Sequence, residues 1–169
     1  MTIVETERLR LRRFEPADAD ELSRWFVDAE FVRHLPGLRT RDDAVAMLER
    51  IDAHWDEHGF GALAVEERAT GELIGRTGPA YHRAWPHDPE VGWWIAPERQ
   101  RQGLATEAGA ASVAYTFETL GFNRVVSITL AGNVASRRVM EKLGFCLHAK
   151  VPLPDDGREL WVHALDRVL

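Results

Sequence analysis

The chain has 169 residues, of which 45% are hydrophobic and 28% charged, and these proportions are those of an ordinary globular protein with one core. Its 21 lysines and arginines are outnumbered by 27 aspartates and glutamates, and the net charge of -6 argues against a protein that binds nucleic acid by bulk electrostatics. No stretch approaches the roughly 18 apolar residues of a membrane span and the first residues do not form a signal sequence, so we expect a cytoplasmic protein without membrane association.

The first third of the chain predicts one strand and two helices. Leucine alternates with arginine over residues 8–14, which is the period of a half-buried strand. Residues 16–28 predict a helix with a proline in its first turn. Thr40 and Asp43 resemble a capping box, with aspartate in place of the usual glutamate or glutamine, and Gly59 ends the helix that they begin.

The middle of the chain predicts three strands and a long helix. Residues 60–67 and 72–82 alternate apolar and polar side chains, and residues 90–96 are apolar enough to be buried on both faces of a sheet. A loop is expected between the last two strands, at 82–89. An alanine-rich helix then extends over 104–120, and its two apolar stripes predict close packing against the sheet.

The last third predicts a strand, a short helix and two more strands. These are residues 124–130, a helix over 133–144 with an asparagine cap, and strands at 145–151 and 159–166 across a turn at Asp156-Gly157. The order of elements predicts a mixed α/β fold, with about seven strands in a central sheet and four helices, and the whole chain as a single domain.

The segment RQRQGLATEA, residues 99–108, places positive charge and amide groups at the start of the long helix. The first amides of a helix have no intrahelical partners, and the helix dipole adds positive potential there. Gly103 allows close approach, the small Ala105 keeps the site open, Thr106 adds a hydroxyl, and Arg99 and Arg101 add charge. This combination predicts a binding site for a phosphate or pyrophosphate group.

Residues 100–105, QRQGLA, match neither the P-loop nor the dinucleotide-binding glycine pattern. They resemble the Q/R-x-x-G-x-G/A signature of the GNAT acetyltransferases. Residues 90–108, EVGWWIAPERQRQGLATEA, and 133–145, NVASRRVMEKLGF, resemble segments of the RimJ/RimL branch of that family, and TERLRLRRFEPADADEL at 6–22 resembles its first strand and helix. The matches fall in order along most of the chain.

The resemblance implies a mostly antiparallel sheet whose fourth and fifth strands are parallel and splay apart, with acetyl-CoA bound where they separate. The backbone of the strand ending at Ala96 would pair with the pantetheine arm, an amide near Trp94 or Ile95 would face the thioester carbonyl, and Asn133 would hydrogen-bond the arm. Arg101 and Arg138 would meet the phosphates. The implied cofactor-binding residues are Trp94, Ile95, Ala96, Arg101, Gln102, Gly103, Leu104, Ala105, Thr106 and Asn133.

Attack on a thioester needs a neutral amine, and a free α-amine titrates near ~8 whereas a lysine amine titrates near ~10. A base must therefore remove a proton, directly or through water. Glu90 is the first candidate, because it is expected at a strand end facing the acceptor groove. The alternative is a solvated carboxylate with no catalytic role. His82, Asp88 and Glu159 are weaker candidates.

A side chain of the short helix is a candidate to protonate the leaving thiolate. Many GNAT enzymes have a tyrosine seven residues after the asparagine, but the residue at that position is Met140, which cannot donate a proton. Ser136 lies one turn earlier on the same face, and in the RimJ/RimL branch a serine there is proposed as the acid. Ser136 is equally consistent with a first-turn residue that bonds a backbone amide or contacts coenzyme A.

Three other features favour structural roles. His54 and His58 are four residues apart, but the residue after His54 is not the glutamate of HExxH and no third ligand is evident, so we expect no metal. The single cysteine, Cys146, lies in a predicted strand and is expected in the core. The tryptophans are expected mostly in the core. Four of them are candidates to line a groove: Trp25, Trp85, Trp93 and Trp94.

The favoured function is acetyl transfer from acetyl-CoA to a primary amine by direct attack in a ternary complex. The expected partner is a small-molecule or peptide amine, such as a protein N-terminus, and no nucleic acid is expected. Loops 28–40 and 82–89 are expected to line the amine site. The alternative is a non-catalytic acyl-CoA-binding module that senses or regulates. Transfer of another acyl group and a homodimer paired through terminal strands also remain open.

Overall fold

The computed structural model describes residues 2–35, 39–153 and 157–168. The strands are β1 (Thr2–Glu5), β2 (Leu9–Arg12), β3 (Leu63–Glu67), β4 (Leu73–His82), β5 (Trp85–Ile95), β6 (Arg124–Leu130), β7 (Cys146–Pro152) and β8 (Glu159–Asp166). The α-helices are α1 (Asp18–Phe26), α2 (Arg41–His58), α3 (Leu104–Ala114) and α4 (Val134–Lys142). Two 3-10 turns, Phe31–His34 and Pro97–Arg99, and a π-helical turn, Tyr115–Thr119, complete the regular elements of the described residues.

All the strands form one sheet in the order β1-β2-β3-β4-β5-β6-β8-β7. Neighbouring strands are antiparallel except β5 and β6, which run parallel and are paired in register only at Glu90 and Val126. Beyond that point, toward Ile95, β5 stays paired with β4 but has no register with β6. The predicted mixed α/β class, the mostly antiparallel sheet and the splayed parallel pair are confirmed.

The sheet has eight strands where seven are predicted. The additional strand, β1, is only four residues long and pairs with β2, and so short a segment shows no clear period in the sequence. The predicted loop at 82–89 is also wrong in part, because residues 85–89 belong to β5, whose pairing with β4 has Trp85 opposite His82 and, after an irregularity, Glu90 opposite Ala80. Pro86 and Pro89 argue against a strand there, but prolines are tolerated where their missing N–H would not face a neighbouring strand.

Helices cover both faces of the sheet, as adjacent side chains of β5 show. Successive side chains of a strand point to opposite faces. Trp94 packs edge-on against Trp25 of α1 and against Phe31, with ring centroids 5.7 and 5.5 Å away. Trp93 points to the other face, where its ring approaches Gly109 of α3 so closely that a Cβ atom there would lie 3.0 Å from Trp93 Cε3. The predicted close packing of the alanine-rich helix on the sheet is confirmed.

The predicted start and end of α2 are confirmed by its caps. The Thr40 hydroxyl accepts the Asp43 N–H at 3.1 Å, and the Asp43 carboxylate accepts the Thr40 N–H at 2.8 Å. Gly59 ends the helix in the left-handed conformation at φ 73°. The predicted core position of Cys146 is wrong, because this residue begins the edge strand β7 and is exposed. The predicted turn at Asp156-Gly157 lies partly outside the described residues.

His54 is engaged by the backbone on both sides of its ring. Nδ1 donates to the Phe60 carbonyl at 2.8 Å, and Nε2 accepts the Tyr81 N–H at 3.0 Å. This arrangement requires the neutral imidazole and leaves neither nitrogen available to a metal. Burial lowers the pKa of His54 below its usual value, against the opposing effect of the Phe60 carbonyl. The histidine therefore ties the end of α2 to β4.

We expect the protein to lose stability in acid partly through His54. Its pKa is lower in the folded state, so the unfolded chain takes up a proton first as the pH falls below about 6.5, and the free energy of unfolding decreases there. Urea unfolding at pH 8 and pH 5.5 should show a smaller decrease for His54→Gln than for the wild-type protein. Exposed His87→Gln is the control. An unchanged pH dependence in His54→Gln would contradict the assignment.

No helix of the described residues has the length and apolar character needed to cross a membrane.

Candidate functional site

A cleft of about 1030 Å³ opens where β5 and β6 separate. Its walls come from the end of β5, the loop and first turn of α3, the first turn of α4 and the 3-10 turn Phe31–His34. Cationic side chains outnumber carboxylates along it, in contrast to the negative charge of the whole chain. The splay predicted from the resemblance thus produces an open site lined by backbone and by basic side chains.

The loop before α3 forms a concave surface of backbone amides. Arg101 is the one non-glycine residue with positive φ in the described chain, at 61°, and Gly103 follows at 80°. Left-handed residues next to right-handed ones turn successive N–H groups to the same side, which makes an anion-binding nest. The first helical bond runs from the Glu107 N–H to the Gly103 carbonyl, so the amides of residues 104–106 have no intrahelical partner.

Most of the predicted loop residues line the cleft. Arg101, Gly103, Leu104, Ala105 and Thr106 do so, and Leu104 is also buried in the core. In contrast, the structure does not bring Gln102 or Ala96 to the cleft wall. The Gln102 side chain is exposed, and Ala96 is fully buried with its N–H bonded to the Ile74 carbonyl at 2.8 Å.

An ion pair between the N-terminal segment and α3 holds this loop in place. Arg8 donates from Nε to the Glu107 carboxylate at 2.6 Å and from Nη1 to the Gln102 carbonyl at 3.0 Å. Glu107 also accepts the Thr6 hydroxyl at 2.6 Å. Burial alone would raise the pKa of Glu107, but the hydrogen bonds from Thr6 and Arg8 together lower it. No local signal in the sequence indicates this ion pair, because its partners are 99 residues apart.

We expect Glu107→Ala to weaken coenzyme A binding about two- to fivefold, since exposed ion pairs contribute about 1 kcal/mol or less and this one is only partly buried. The reason is loss of loop order rather than loss of a ligand contact. Calorimetry measures the Kd. Arg10→Gln, which removes an exposed pair of the next strand with Glu5 and Glu66, should leave the Kd unchanged. Equal affinity of Glu107→Ala and wild-type protein would contradict a bracing role.

The backbone of β5 presents alternate residues to the cleft. The Ala96 N–H bonds to β4, and in a strand the hydrogen-bonding groups of successive residues point to opposite sides. Trp94 therefore faces β4, with Arg76 opposite it, and Ile95 faces the side left by the absence of β6. The Ile95 carbonyl accepts the Gln100 side-chain amide at 3.1 Å. Of the two amides predicted to meet a thioester carbonyl, the geometry favours that of Ile95.

The first turn of α4 forms the opposite wall. The Asn133 side-chain oxygen accepts the Ser136 N–H at 3.2 Å and caps the helix, which leaves the Asn133 amide nitrogen directed at no described protein atom. Ser136 lines the cleft, and its hydroxyl makes no hydrogen bond within the described residues. Met140 is fully buried against Val91 and neighbouring core side chains, so the position of the tyrosine in many relatives is a core position here.

Glu90 lies at the floor of the cleft, at the last paired position of β5 and β6, and thus in the middle of a strand rather than at its end. The Ile128 N–H faces its carboxylate, and the charge of Arg76 acts on it from β4. Burial raises the pKa of Glu90 above its usual value despite the opposing effects of His82, Arg76 and Ile128. A carboxylate in a cleft whose pKa is raised by loss of hydration is typical of a proton-transfer group.

The weaker candidates for the base differ in position. His82 lines the cleft and lies near enough to Glu90 to affect its pKa. Asp88 accepts the Trp85 indole N–H at 3.0 Å, away from the cleft. Glu159 accepts the Trp161 indole N–H at 2.6 Å and is exposed. Two of the four tryptophans that were predicted to line a groove, Trp93 and Trp94, line the cleft.

The comparisons with known proteins agree with this geometry. Residues 8–146 match the acetyltransferase (GNAT) domain family. The uncharacterised N-acetyltransferase YoaA of Bacillus subtilis (strain 168) is 34% identical over 147 residues, which are 85% of this chain and 82% of that protein. The acetyltransferase structure from Agrobacterium tumefaciens str. C58 superposes with a TM-score of 0.84 at 27% identity, covering 97% of this chain and 94% of that one.

A third similar structure, RimJ of Mycobacterium smegmatis in complex with CoA-disulfide, has a TM-score of 0.77 at 19% identity and covers 94% of this chain and 81% of that one, which shows a shared fold. The residues present fit acetyl-CoA as the acyl donor: an amide nest at Gly103 suits its phosphates, and the free edge of β5 suits its amide-containing arm. The chain belongs to the GNAT family of acetyltransferases.

Proposed function

We propose that this protein is an N-acetyltransferase that moves the acetyl group of acetyl-CoA directly to a primary amine while both are bound. The observation that carries the proposal is that one cleft holds both an anion nest at the start of α3 and a half-buried carboxylate, Glu90 of β5, whose pKa is raised. When bound, acetyl-CoA supplies an acyl thioester that is open to attack by a nitrogen lone pair.

The donor is held by backbone groups and by cations. The amides of Leu104, Ala105 and Thr106 and the charge of Arg101 bind the phosphates, and Arg138 lines the same part of the cleft. The Asn133 amide nitrogen donates to the arm while its oxygen caps α4. The Ile95 N–H stabilises the negative charge that develops on the carbonyl oxygen. It is effective because a fixed backbone donor needs no reorientation during the reaction.

The acceptor amine loses a proton to Glu90. An α-amine with a pKa near ~8 is mostly protonated at neutral pH, so a base is needed before the nitrogen can attack. Burial raises the pKa of Glu90, which makes the ionised carboxylate a stronger base than an exposed one. Its position at the floor of the cleft suits proton transfer either directly or through one water molecule.

Ser136 is positioned to serve the leaving sulfur. Its hydroxyl lines the cleft without a protein partner, one turn before the buried Met140. A hydroxyl both donates and accepts, so Ser136 gives a hydrogen bond to the developing thiolate and contacts the donor before the reaction. Ser136→Ala separates these roles, since loss of a proton donor lowers kcat and loss of a contact raises KM.

The test is release of free thiol from acetyl-CoA in the presence of amines, with calorimetry of coenzyme A binding in parallel. The amines are short peptides with varied N-termini, lysine, polyamines, aminoglycosides and free amino acids. Release that depends on an amine is the expected result. Tight binding of coenzyme A without turnover on any amine would favour the non-catalytic sensing module. Absence of binding would contradict the assignment of the nest.

A further part of the proposal concerns the acceptor. The predicted acceptor loop 28–40 contributes Asp28, Phe31 and His34 to the cleft, and residues 36–38 of this loop lie outside the described residues. The predicted acceptor loop 82–89 contributes His82.

A further inference from the structure

Arg76 is a half-buried charged side chain that the proposed reaction does not use. It lies on β4 opposite Trp94, on the same face of the sheet as Glu90 and Gly92, and it lines the cleft. Burial lowers the pKa of its guanidinium, and the charge of Glu90 opposes this effect. Within the described residues, its guanidinium makes no hydrogen bond, ion pair or aromatic contact. A guanidinium that lines a cleft without a hydrogen-bond partner in the protein is available to an anionic ligand.

Gly92 leaves a gap between Arg76 and Glu90. A Cβ atom on Gly92 would lie 3.5 Å from Arg76 Nη1 and 3.6 Å from Glu90 Oε1. The two charged groups therefore flank one small space above a residue without a side chain. A molecule that fills this space meets a carboxylate on one side and a guanidinium on the other, at a separation that a few bonds span.

Two further cations, Arg33 and Arg158, line the mouth of the cleft. Burial lowers the pKa of His34 there, and the positive charges of Arg33 and Arg158 lower it further. Both nearby carboxylates are already engaged: Asp28 accepts the N–H of residues 30 and 31 at 2.9 and 3.1 Å, and Glu30 pairs with Arg33 at 2.9 Å. Over the cleft as a whole, cationic side chains outnumber carboxylates, which favours an anionic ligand.

On the basis of the proposed function, we propose that the acceptor carries an oxyanion, a carboxylate or phosphate, a few bonds from the amine that is acetylated, and that Arg76 binds this oxyanion while Glu90 receives the proton of the amine. The planar guanidinium donates two parallel hydrogen bonds to either group. Free amino acids, peptides with an acidic first residue and phosphorylated amines share this chemistry.

The test uses three matched pairs of amines and acetyl-CoA: phenylalanine and its amide, a peptide beginning with aspartate and one beginning with asparagine, and phosphoethanolamine and ethanolamine. We expect the anionic member of at least one pair to have a kcat/KM at least about tenfold higher. Which pair shows the difference identifies the source of the oxyanion. Comparable values within all three pairs would overturn the inference while the proposed function stands.

Variants of Arg76 decide whether this residue causes the preference. Arg76→Gln should lose at least about tenfold on the anionic amine and little on its neutral partner, and Arg76→Lys, which keeps the charge without the planar fork, should be intermediate. Arg124→Gln removes an exposed ion pair at the far end of β6 and is the control. Equal losses of Arg76→Gln on both members of a pair would overturn the inference, because Arg76 would then act through Glu90.

A binding measurement separates failure of the inference from failure of the proposed function. Calorimetry with protein saturated by coenzyme A measures the affinity for each amine without turnover. If no amine is acetylated, the proposed function fails. In that case, tighter binding of the anionic members that Arg76→Gln abolishes supports the inference, and equal binding within each pair overturns it.

Discussion

Glu90→Gln should lower kcat by about 10²- to 10⁴-fold, the range that a positioned general base contributes. The amide keeps the size and hydrogen bonding of the side chain but cannot accept the amine proton at neutral pH. The KM for acetyl-CoA should stay close to that of the wild-type protein, because the phosphate-binding loop is a separate part of the cleft. Steady-state kinetics with a saturating amine measures both values.

The pH dependence of kcat/KM is a second test of the role of Glu90. Activity requires ionised Glu90, so kcat/KM should fall as the pH decreases through the pKa of this carboxyl. The usual pKa of a glutamate is near 4.5, and burial raises the pKa of Glu90. The acid limb should therefore lie at a higher pH than for an ordinary glutamate. The limb should be absent in Glu90→Gln and present in Glu118→Gln, an exposed control. A full acid limb in Glu90→Gln would assign the base to another group, with His82 next.

Phe26→Ala should decrease the free energy of unfolding by about 3–5 kcal/mol. The ring is fully buried on α1, in the cluster that includes Val32 and packs against Trp94 of β5. Removing it leaves a cavity under the 3-10 turn that forms the mouth of the cleft. Urea unfolding measures the change.

Val27→Ala is the matched control, because Val27 is the next residue and 78% exposed. A change of about 0.5 kcal/mol or less is expected there. Similar losses for the two variants would show that the apolar face of α1 does not carry the packing described.

Local signals in the sequence were sufficient for the elements that depend on neighbouring residues. The capping box of Thr40 and Asp43, the terminator Gly59 and the helix cap Asn133 are all short-range chemistry, and each is present as predicted. The amide nest before α3 is also local, since its glycine and its unpaired amides lie within one turn.

The differences come from features that depend on pairing with distant strands. β1 is four residues long and is paired with β2, and β5 extends back to Trp85, which lies opposite His82 of β4. Cys146 is apolar by type, but β7 is an edge strand and presents it to solvent. No period in the sequence determines which strand lies at an edge.

The candidate site was only partly predictable for the same reason. The loop residues and Glu90 are adjacent to recognisable motifs. Arg76 is the one charged residue within the segment LIGRTGPA, and a lone charge in an otherwise apolar strand is a signal of function. Its face of the sheet, however, depends on the register between β4 and β5, in which Arg76 lies opposite Trp94.

The central claim is direct acetyl transfer to an amine in this cleft, and the most direct test follows the acetyl carbon itself. Acetyl-CoA labelled with ¹³C at the carbonyl is mixed with the protein and an amine, and NMR records the fate of the label. We predict that the label appears as an amide of the amine at the rate of thiol release, and that the protein alone acquires none. Label on the protein, or thiol release without a labelled amide, would contradict the account.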